Sequence, residues 1–104
     1  MYCNWNDLEL KVLRWAEARH IIPNSTPQAQ ILKTVEELGE LAGAIAKGRE
    51  DDAIDAFGDV VVTLIIAADM MGTDLKRCLG HAYEQIKDRK GHLRPDGIFV
   101  KEEA

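Results

Sequence analysis

The sequence predicts an all-α fold: an antiparallel bundle of about four helices that is completed by dimerisation. Two observations predict it. Apolar residues recur at helical spacing in four successive segments, and the connections between these segments are short and contain glycine, proline or capping residues. A length of 104 residues corresponds to one domain, so residues 1–104 are interpreted as a single helical domain with a C-terminal tail from about residue 91.

The first predicted helix runs from about residue 6 to residue 19, because Leu8, Val12 and Trp15 form an apolar stripe at helical spacing. Residues 21–27 contain two prolines and several capping residues. Such a segment is typical of a connection between helices and is predicted as a loop.

The second predicted helix begins after Thr26, a capping residue, with Pro27 at the first helical position. It runs to about Lys47, and Gly48 ends it. At about 100° per residue, one arc of this helix is apolar and is predicted to face the core. That arc consists of Ile31, Val35, Leu38, Ala42 and Ile45.

The third predicted helix runs from Glu50 to Gly72. The β-branched residues in its middle, residues 60–66, also favour a strand. The apolar pattern is longer than a typical strand, so a helix is predicted. After Asp59 the helix is apolar on nearly all sides, and three short helices cannot enclose it. A second subunit is therefore expected to cover residues 60–71.

Thr73 and Asp74 are predicted to cap a fourth helix. Its apolar residues recur at helical spacing and are Leu75, Cys78, Leu79, Ala82 and Ile86. From Gly91 onward the sequence predicts a tail, with one short extended piece at residues 98–100.

The bulk composition excludes several classes of protein. A formal net charge of −5 argues against a protein that binds nucleic acid through the phosphate backbone. The longest apolar stretch, residues 60–71, is too short to span a bilayer, so no membrane association is expected. Two cysteines, Cys3 and Cys78, without a signal peptide fit a reducing compartment. A cytoplasmic protein is therefore expected.

Acidic residues gather on the second and third helices, at spacings that place each set on one side of its helix. The sets are Glu36, Glu37 and Glu40, and Asp52, Asp55 and Asp59. Like charges at these spacings destabilise a helix by about 0.2–0.5 kcal/mol per pair. A hard divalent cation compensates such repulsion, and Mg²⁺ bound by carboxylates commonly bridges to substrate phosphates. The glutamates are interpreted as Mg²⁺ ligands; the alternative is that both rows are solvated surface.

The run Glu36-Glu37-Leu38-Gly39-Glu40, followed by Asp55-Ala56-Phe57-Gly58-Asp59-Val60, resembles the MazG-like all-α nucleoside triphosphate pyrophosphohydrolases. The likeness covers roughly residues 26–90. It implies Mg²⁺-dependent hydrolysis of a nucleoside or deoxynucleoside triphosphate to the monophosphate and pyrophosphate, in nucleotide pool control, with Mn²⁺ as a substitute metal. It also implies a homodimer or a dimer of dimers. A pyrimidine, a guanine and a damaged purine all stay open as the base.

Matched position by position, the resemblance implies that Glu37, Glu40 and Asp59 are metal ligands. Many members carry a glutamate at the position of Ala56, and here Asp55, one turn before Asp59, is the available substitute. Glu36 matches the leading glutamate, which is a ligand or orients one. The predicted metal ligands are therefore Glu37, Glu40, Asp55 and Asp59, and the predicted catalytic residues are these four with Glu36.

Basic residues near the end of the fourth helix resemble the cluster that family members set against the triphosphate. The candidates are Lys87, Arg89 and Lys90, with Arg94 and Lys33 in addition. The alternatives are a solvated helix end and, for Lys33, an ion pair with Glu37. Candidates to contact the base, by their position near the start of the second helix, are Trp15, His20 and Asn24; the alternatives are a core tryptophan and a surface histidine.

Two other functions fit parts of the pattern. A carboxylate-bridged di-iron bundle needs Glu-x-x-His on two helices, and this sequence has one such motif, from Glu17 to His20. A non-enzymatic acidic helical dimer that binds a partner protein requires no metal. This second alternative predicts a melting temperature that is indifferent to Mg²⁺.

Overall fold

The computed structural model describes residues 4–103, and Cys3 lies outside that range. The described residues form five helices and two short strands. In chain order these are α1 (Trp5–Ala18), α2 (Ile21–Asn24), α3 (Pro27–Ala46), α4 (Glu50–Met70), α5 (Leu75–Ile86), β1 (Gly91–Leu93) and β2 (Phe99–Lys101). The predicted all-α class is confirmed, and the four predicted helices correspond to α1, α3, α4 and α5. Within residues 4–103, no helix combines the length and apolar character needed to cross a membrane.

The helix ends follow the capping signals of the sequence. The Thr26 hydroxyl accepts a hydrogen bond from the Ala29 amide at 3.1 Å, and the Asp74 carboxylate accepts one from the Arg77 amide at 2.8 Å. These side chains satisfy amides that have no partner in the first turn of a helix. Gly48 follows α3 with φ 68°, a left-handed conformation that favours glycine. The chain therefore reverses between α3 and α4 within a few residues.

Helices α3 and α4 pack against each other as an antiparallel pair, and α1 packs on α4. The face of α3 that this pairing buries consists of Thr34, Glu37, Leu41 and Ala44. On α4, Ala56 and Thr63 are buried among others. The acidic rows of both helices lie beside the seam where these faces meet.

The prediction that the apolar arc of α3 faces the core is wrong for the single chain. Ile31, Val35, Leu38 and Ile45 are 45%, 60%, 48% and 59% exposed. At about 100° per residue this arc lies on a different side of α3 from the buried face. The physical reason is that α3 turns a mixed face, containing a threonine and a glutamate, towards α4. We call the exposed arc, together with Ala42, the apolar stripe.

The prediction that residues 60–71 need a second subunit for cover is wrong for part of this stretch. Ile65, Ile66, Ala67 and Ala68 are buried within the chain itself, because α1 and α3 pack against α4. The preceding valines are half-buried, and Met71 is exposed. The larger uncovered apolar surface therefore lies on α3, not along the second half of α4.

Two segments, the connection before α3 and the C-terminal tail, contain more secondary structure than the sequence predicts. Residues 21–27, predicted as a loop, contain the short helix α2. The Asn24 side-chain amide donates to the His20 carbonyl at 2.9 Å, and His20 takes a left-handed φ of 62°, so the turn closes on itself.

The predicted tail contains an antiparallel hairpin in which β1 pairs with β2. Gly97 has φ 89°, and the Asp96 carboxylate accepts from the Ile98 amide at 3.2 Å. Pro-Asp-Gly is a turn sequence for these reasons. A side chain at Gly91 would clash with the Val100 carbonyl and the Phe99 ring, so glycine is required where the strands meet.

Candidate active site

A groove of about 560 Å³ runs along the seam between α3 and α4. Its polar lining is predominantly acidic, with carboxylates from Glu36, Glu40, Asp52, Asp55 and Asp59. Small residues form the floor: Gly39, Gly43, Ala44 and Ala56. Two cations, Lys47 and Arg49, lie beside the turn that joins the helices. The structure thus brings four of the five predicted catalytic residues to one groove.

Glu37, the fifth predicted catalytic residue, is buried beside the groove with only 8% of its surface exposed. Its Oε1 lies 3.4 Å from the Lys33 ammonium, but its Oε2 is buried and has no hydrogen-bond partner among residues 4–103. A buried carboxylate oxygen without a partner costs roughly 1–3 kcal/mol or more, because it has given up its water. This oxygen is therefore suited to hold a cation or a donor that the chain itself does not supply.

Lys33 forms ion pairs with two glutamates of its own helix. Its ammonium lies 3.3 Å from Glu36 Oε1 and 3.4 Å from Glu37 Oε1. The hydrogen bond and charge of Glu36, and then those of Glu37, raise the lysine's pKa. The ion pair with Glu37 that the sequence allowed as an alternative is present, so Lys33 neutralises part of the acidic row.

Two carboxylic acids of this site have raised pKa values. The pKa of Glu40 is raised first by hydrogen bonding of its protonated form to Glu37 and then by the negative charge of Glu37. The pKa of Asp59 is raised first by burial, then by the charges of Asp55 and Glu37. The acids of α3 and α4 therefore interact across the seam, as two opposed rows should.

The donor set fits a hard divalent cation in its chemistry. Carboxylate oxygens are the ligands that Mg²⁺ and Mn²⁺ take in proteins, and the unpartnered Glu37 Oε2 lies beside the acidic groove. Among residues 4–103, no three histidine, cysteine or acidic side chains converge closely enough to form a complete metal site. The ligand set Glu37, Glu40, Asp55 and Asp59 therefore stays a prediction.

The predicted basic cluster does not line this groove. Lys87 pairs with Glu84 at 2.8 Å, one turn away on the same helix, and Arg94 pairs with Asp96 in the turn of the β-hairpin. Arg89 and Lys90 line a shallow surface beside the hairpin. These positions favour the alternative of a solvated helix end within the single chain.

The three candidate base contacts also lie apart from the groove lining. Trp15 is half-exposed, with the Arg19 guanidinium 5.4 Å above its ring. The Asn24 side-chain amide donates a hydrogen bond to the His20 backbone carbonyl in the turn at α2. Their role towards a base stays a prediction.

Sequence reasoning missed Lys47 and Arg49 as groove residues. Their signal was available, because they flank Gly48 in the turn that joins the two acidic helices. Any residue of so short a connection must lie at the end of the seam. Within the described range, neither residue forms an ion pair within 4 Å, so both charges are available to a ligand.

Comparison with known proteins assigns the chain. Residues 25–94 match the model of the MazG nucleotide pyrophosphohydrolase domain. Over 55 residues the chain is 44% identical to an uncharacterized 18.2 kDa protein from the rep-hol intergenic region of Haemophilus phage HP1 (strain HP1c1). The match covers 53% of this chain and 34% of the phage protein, so the chain spans about a third of that relative's length.

Among solved structures, the chain is similar to the cyanophage S-2L MazG-like pyrophosphohydrolase bound to dGDP and three catalytic Mn²⁺ ions per active site. The match covers 98% of this chain and all of the other, with a TM-score of 0.74 and 19% sequence identity. At that identity the likeness shows the all-helical fold alone, while the domain match covers most of the chain. This chain belongs to the MazG nucleotide pyrophosphohydrolase family.

Proposed function

We propose that this chain hydrolyses a nucleoside or deoxynucleoside triphosphate to the monophosphate and pyrophosphate, with Mg²⁺ as the cofactor. One observation carries the proposal: carboxylates from two helices surround one groove beside a buried glutamate oxygen that has no partner. The cyanophage relative holds dGDP and Mn²⁺, which supports a nucleotide substrate and a divalent metal here, with Mn²⁺ able to replace Mg²⁺.

Glu37, Glu40, Asp55 and Asp59 are the residues proposed to hold the metal. A divalent cation supplies neutralisation of phosphate charge and activation of water. The small residues Gly39, Gly43, Ala44 and Ala56 along the groove leave space for phosphate oxygens. Asp55 takes the place of the glutamate that many family members carry one residue later.

The reaction itself needs a nucleophile, a proton acceptor and a stabilised leaving group. The oxygen of a water molecule bonds to one phosphorus of the α–β bridge. The bond from that phosphorus to the bridging oxygen breaks. Its electron pair stays on the bridging oxygen, which leaves as part of the other product, pyrophosphate or the monophosphate. Glu36 and Asp55, which both line the groove, are the candidate acceptors for the water's proton. The one that the metal does not fully engage is the proposed acceptor.

Lys47 and Arg49 are proposed to contact the phosphates at the turn end of the groove. Lys33 is already paired with Glu36 and Glu37, whereas Lys47 and Arg49 have no such partner within residues 4–103. Lysine offers a point charge and arginine a fork of donors to phosphate oxygens. Lys87, Arg89, Lys90 and Arg94 do not line the groove, so their contact with a triphosphate stays a prediction.

We further propose that the active form is a homodimer or a dimer of dimers. The chain has a radius of gyration of 16.3 Å, whereas a self-contained domain of this size has about 13 Å. The apolar stripe on α3 and the exposed Ile54 and Phe57 on α4 offer a surface for a second copy. We also infer a cytoplasmic location and a role in nucleotide pool control.

The decisive experiment is a pyrophosphate-release screen over the common nucleoside and deoxynucleoside triphosphates, with Mg²⁺ or Mn²⁺. We expect metal-dependent release of pyrophosphate from at least one of them, and the pattern of turnover identifies the base. The alternative, an acidic helical dimer that binds a partner protein, predicts no turnover of any triphosphate and a melting temperature that Mg²⁺ does not change.

A further inference from the structure

A buried pair of hydroxyl groups joins α3 to α4 one turn from the acidic site. Thr34 Oγ1 and Thr63 Oγ1 lie 2.7 Å apart, and the two residues are 5% and 7% exposed. Thr34 precedes Glu37 by one turn, and Thr63 follows Asp59 by one turn. The pair is thus the direct polar link between the helices that carry the two acidic rows.

Each hydroxyl also lies near a carbonyl of its own helix. Thr34 Oγ1 is 2.9 Å from the Gln30 carbonyl oxygen, and Thr63 Oγ1 is 2.9 Å from that of Val60. A hydroxyl has one hydrogen to donate. Whichever threonine donates across the seam, the other donates to its own helix, so the link is directional and satisfied in both arrangements.

A link of this kind fixes the register of two helices more tightly than apolar contacts do. A slip by one residue moves a helix by about 1.5 Å along its axis and rotates it by about 100°, whereas metal–ligand distances tolerate only about 0.2 Å. The buried neighbours Leu41, Ala44 and Ala56 pack without directional bonds. A satisfied pair of buried hydroxyl groups adds a directional constraint that these apolar contacts lack.

We propose that Thr34 and Thr63 are positioning residues, whose hydroxyl pair holds α3 and α4 in the register that sets Glu37 against Asp59. The inference rests on the proposed metal site and adds to it the device that aligns its two halves. The threonines act through the carboxylates and touch neither the metal nor the substrate.

The test separates positioning from stability by two double variants. In Thr34→Val/Thr63→Val, both hydroxyls are replaced by methyl groups of similar shape, which leaves no polar group unpaired and keeps the helices packed. In Thr34→Ser/Thr63→Ser, the hydroxyl pair remains but two buried methyl groups are lost, which leaves small cavities. Thr73→Val removes a hydroxyl outside the site and is the matched control.

The measurements are the Mn²⁺ dissociation constant by calorimetry and the melting temperature of the metal-free protein. We expect the valine double variant to bind Mn²⁺ at least about tenfold more weakly, the lower limit for losing a group that orients ligands, while melting higher than the serine double variant. We expect the serine double variant and Thr73→Val to bind Mn²⁺ as the wild type does.

Three outcomes overturn the proposal, and they differ in what else they touch. If the valine double variant binds Mn²⁺ like the wild type, the hydroxyl pair only packs the helices and the proposed function is unaffected. If metal affinity follows melting temperature through all variants, stability alone explains it. If the wild type binds no Mn²⁺, both the positioning role and the proposed metal site are wrong.

Discussion

Two sides of α3 differ in charge and in apolar character. One side carries Glu36 and Glu40 and lines the groove; the other carries the apolar stripe. At about 100° per residue the two lie on nearly opposite sides of the helix, with the face buried against α4 between them. One helix can therefore carry an acidic surface for the proposed site and an apolar surface for the proposed assembly, because the two surfaces occupy separate arcs.

Removing one charge from the acidic side is expected to have the largest effect on turnover. Glu40→Gln and Asp59→Asn each replace a hard anionic oxygen by an amide of similar volume, so metal binding and pyrophosphate release should be abolished. The apolar side is untouched, so sedimentation should show the assembly of the wild type. Turnover retained by either variant would mean that these residues are not ligands.

A charge placed on the apolar side should disrupt assembly, which the charge removals on the acidic side leave intact. Leu38→Asp would bury a carboxylate in the proposed interface, at a cost of several kcal/mol for an unpaired ion. We expect sedimentation to show a monomer. Leu32→Asp is the matched control, because Leu32 is an exposed leucine of α3 outside the stripe. Equal behaviour of the two variants would contradict the assignment of the interface.

Asp55 tests whether the α4 row belongs to the acidic side of the site. If Asp55 replaces the glutamate absent at Ala56, Asp55→Ala should weaken Mg²⁺ and lower turnover by roughly ten- to a hundredfold, the loss typical even of a group that orients a ligand. Ala56→Glu in the same background should restore part of it. Asp51→Ala, an exposed neighbour that does not line the groove, controls for net charge.

The cations at the turn end should affect substrate binding more modestly. Lys47→Gln and Arg49→Gln each remove an exposed charge, and exposed ion pairs contribute about 0–1 kcal/mol. We expect KM to rise about two- to fivefold for each, consistent with that range, with kcat little changed. Lys87→Gln is the comparison, since Lys87 is paired with Glu84. A larger rise in KM for Lys87→Gln would indicate that the basic cluster predicted from the sequence, and not the turn end of the groove, contacts the phosphates.

The smallest effect concerns the metal-free protein. The pKa of Glu40 is raised above its ordinary value of 4.5 in the folded state, so the folded state binds a proton more readily than the unfolded state. Stability is therefore greatest below pH 4.5 for this group and is lost as pH rises through the raised value. At neutral pH, metal-free Glu40→Gln should melt no lower than the wild type, as calorimetry can check. A clear fall would show that the carboxylate stabilises the fold.

The sequence predicted elements better than it predicted faces. Thr26, Gly48 and Asp74 mark helix ends by local chemistry, so α3, α4 and α5 could be placed. The buried face of α3 could not, because it contains Thr34 and Glu37 and is less apolar than the stripe. Hydrophobicity alone therefore did not identify the face of α3 that packs against α4.

The site followed the same division. Glu36, Glu40 and Asp59 were predicted to lie together because helical spacing and the family resemblance agree on them. Asp55 was predicted from its place one turn before Asp59, and all four residues line the groove. Lys47 and Arg49 were missed because they lie in a turn, where no periodicity marks them. Of the hairpin at the C-terminal end, the sequence predicted only an extended piece at residues 98–100, which β2 overlaps. The turn and β1 were missed, because Pro95, Asp96 and Gly97 were interpreted as tail residues although together they form a turn.

If the proposed assembly forms on the exposed apolar stripe, protein concentration becomes a variable of every measurement on this protein. Under the proposed assembly, part of the apolar burial that stabilises the fold is gained only when two chains meet, so mass action sets the fraction of folded, paired molecules. Dilution would then lower the fraction of folded, paired molecules. Specific activity would fall at low enzyme concentration although no residue of the groove had changed.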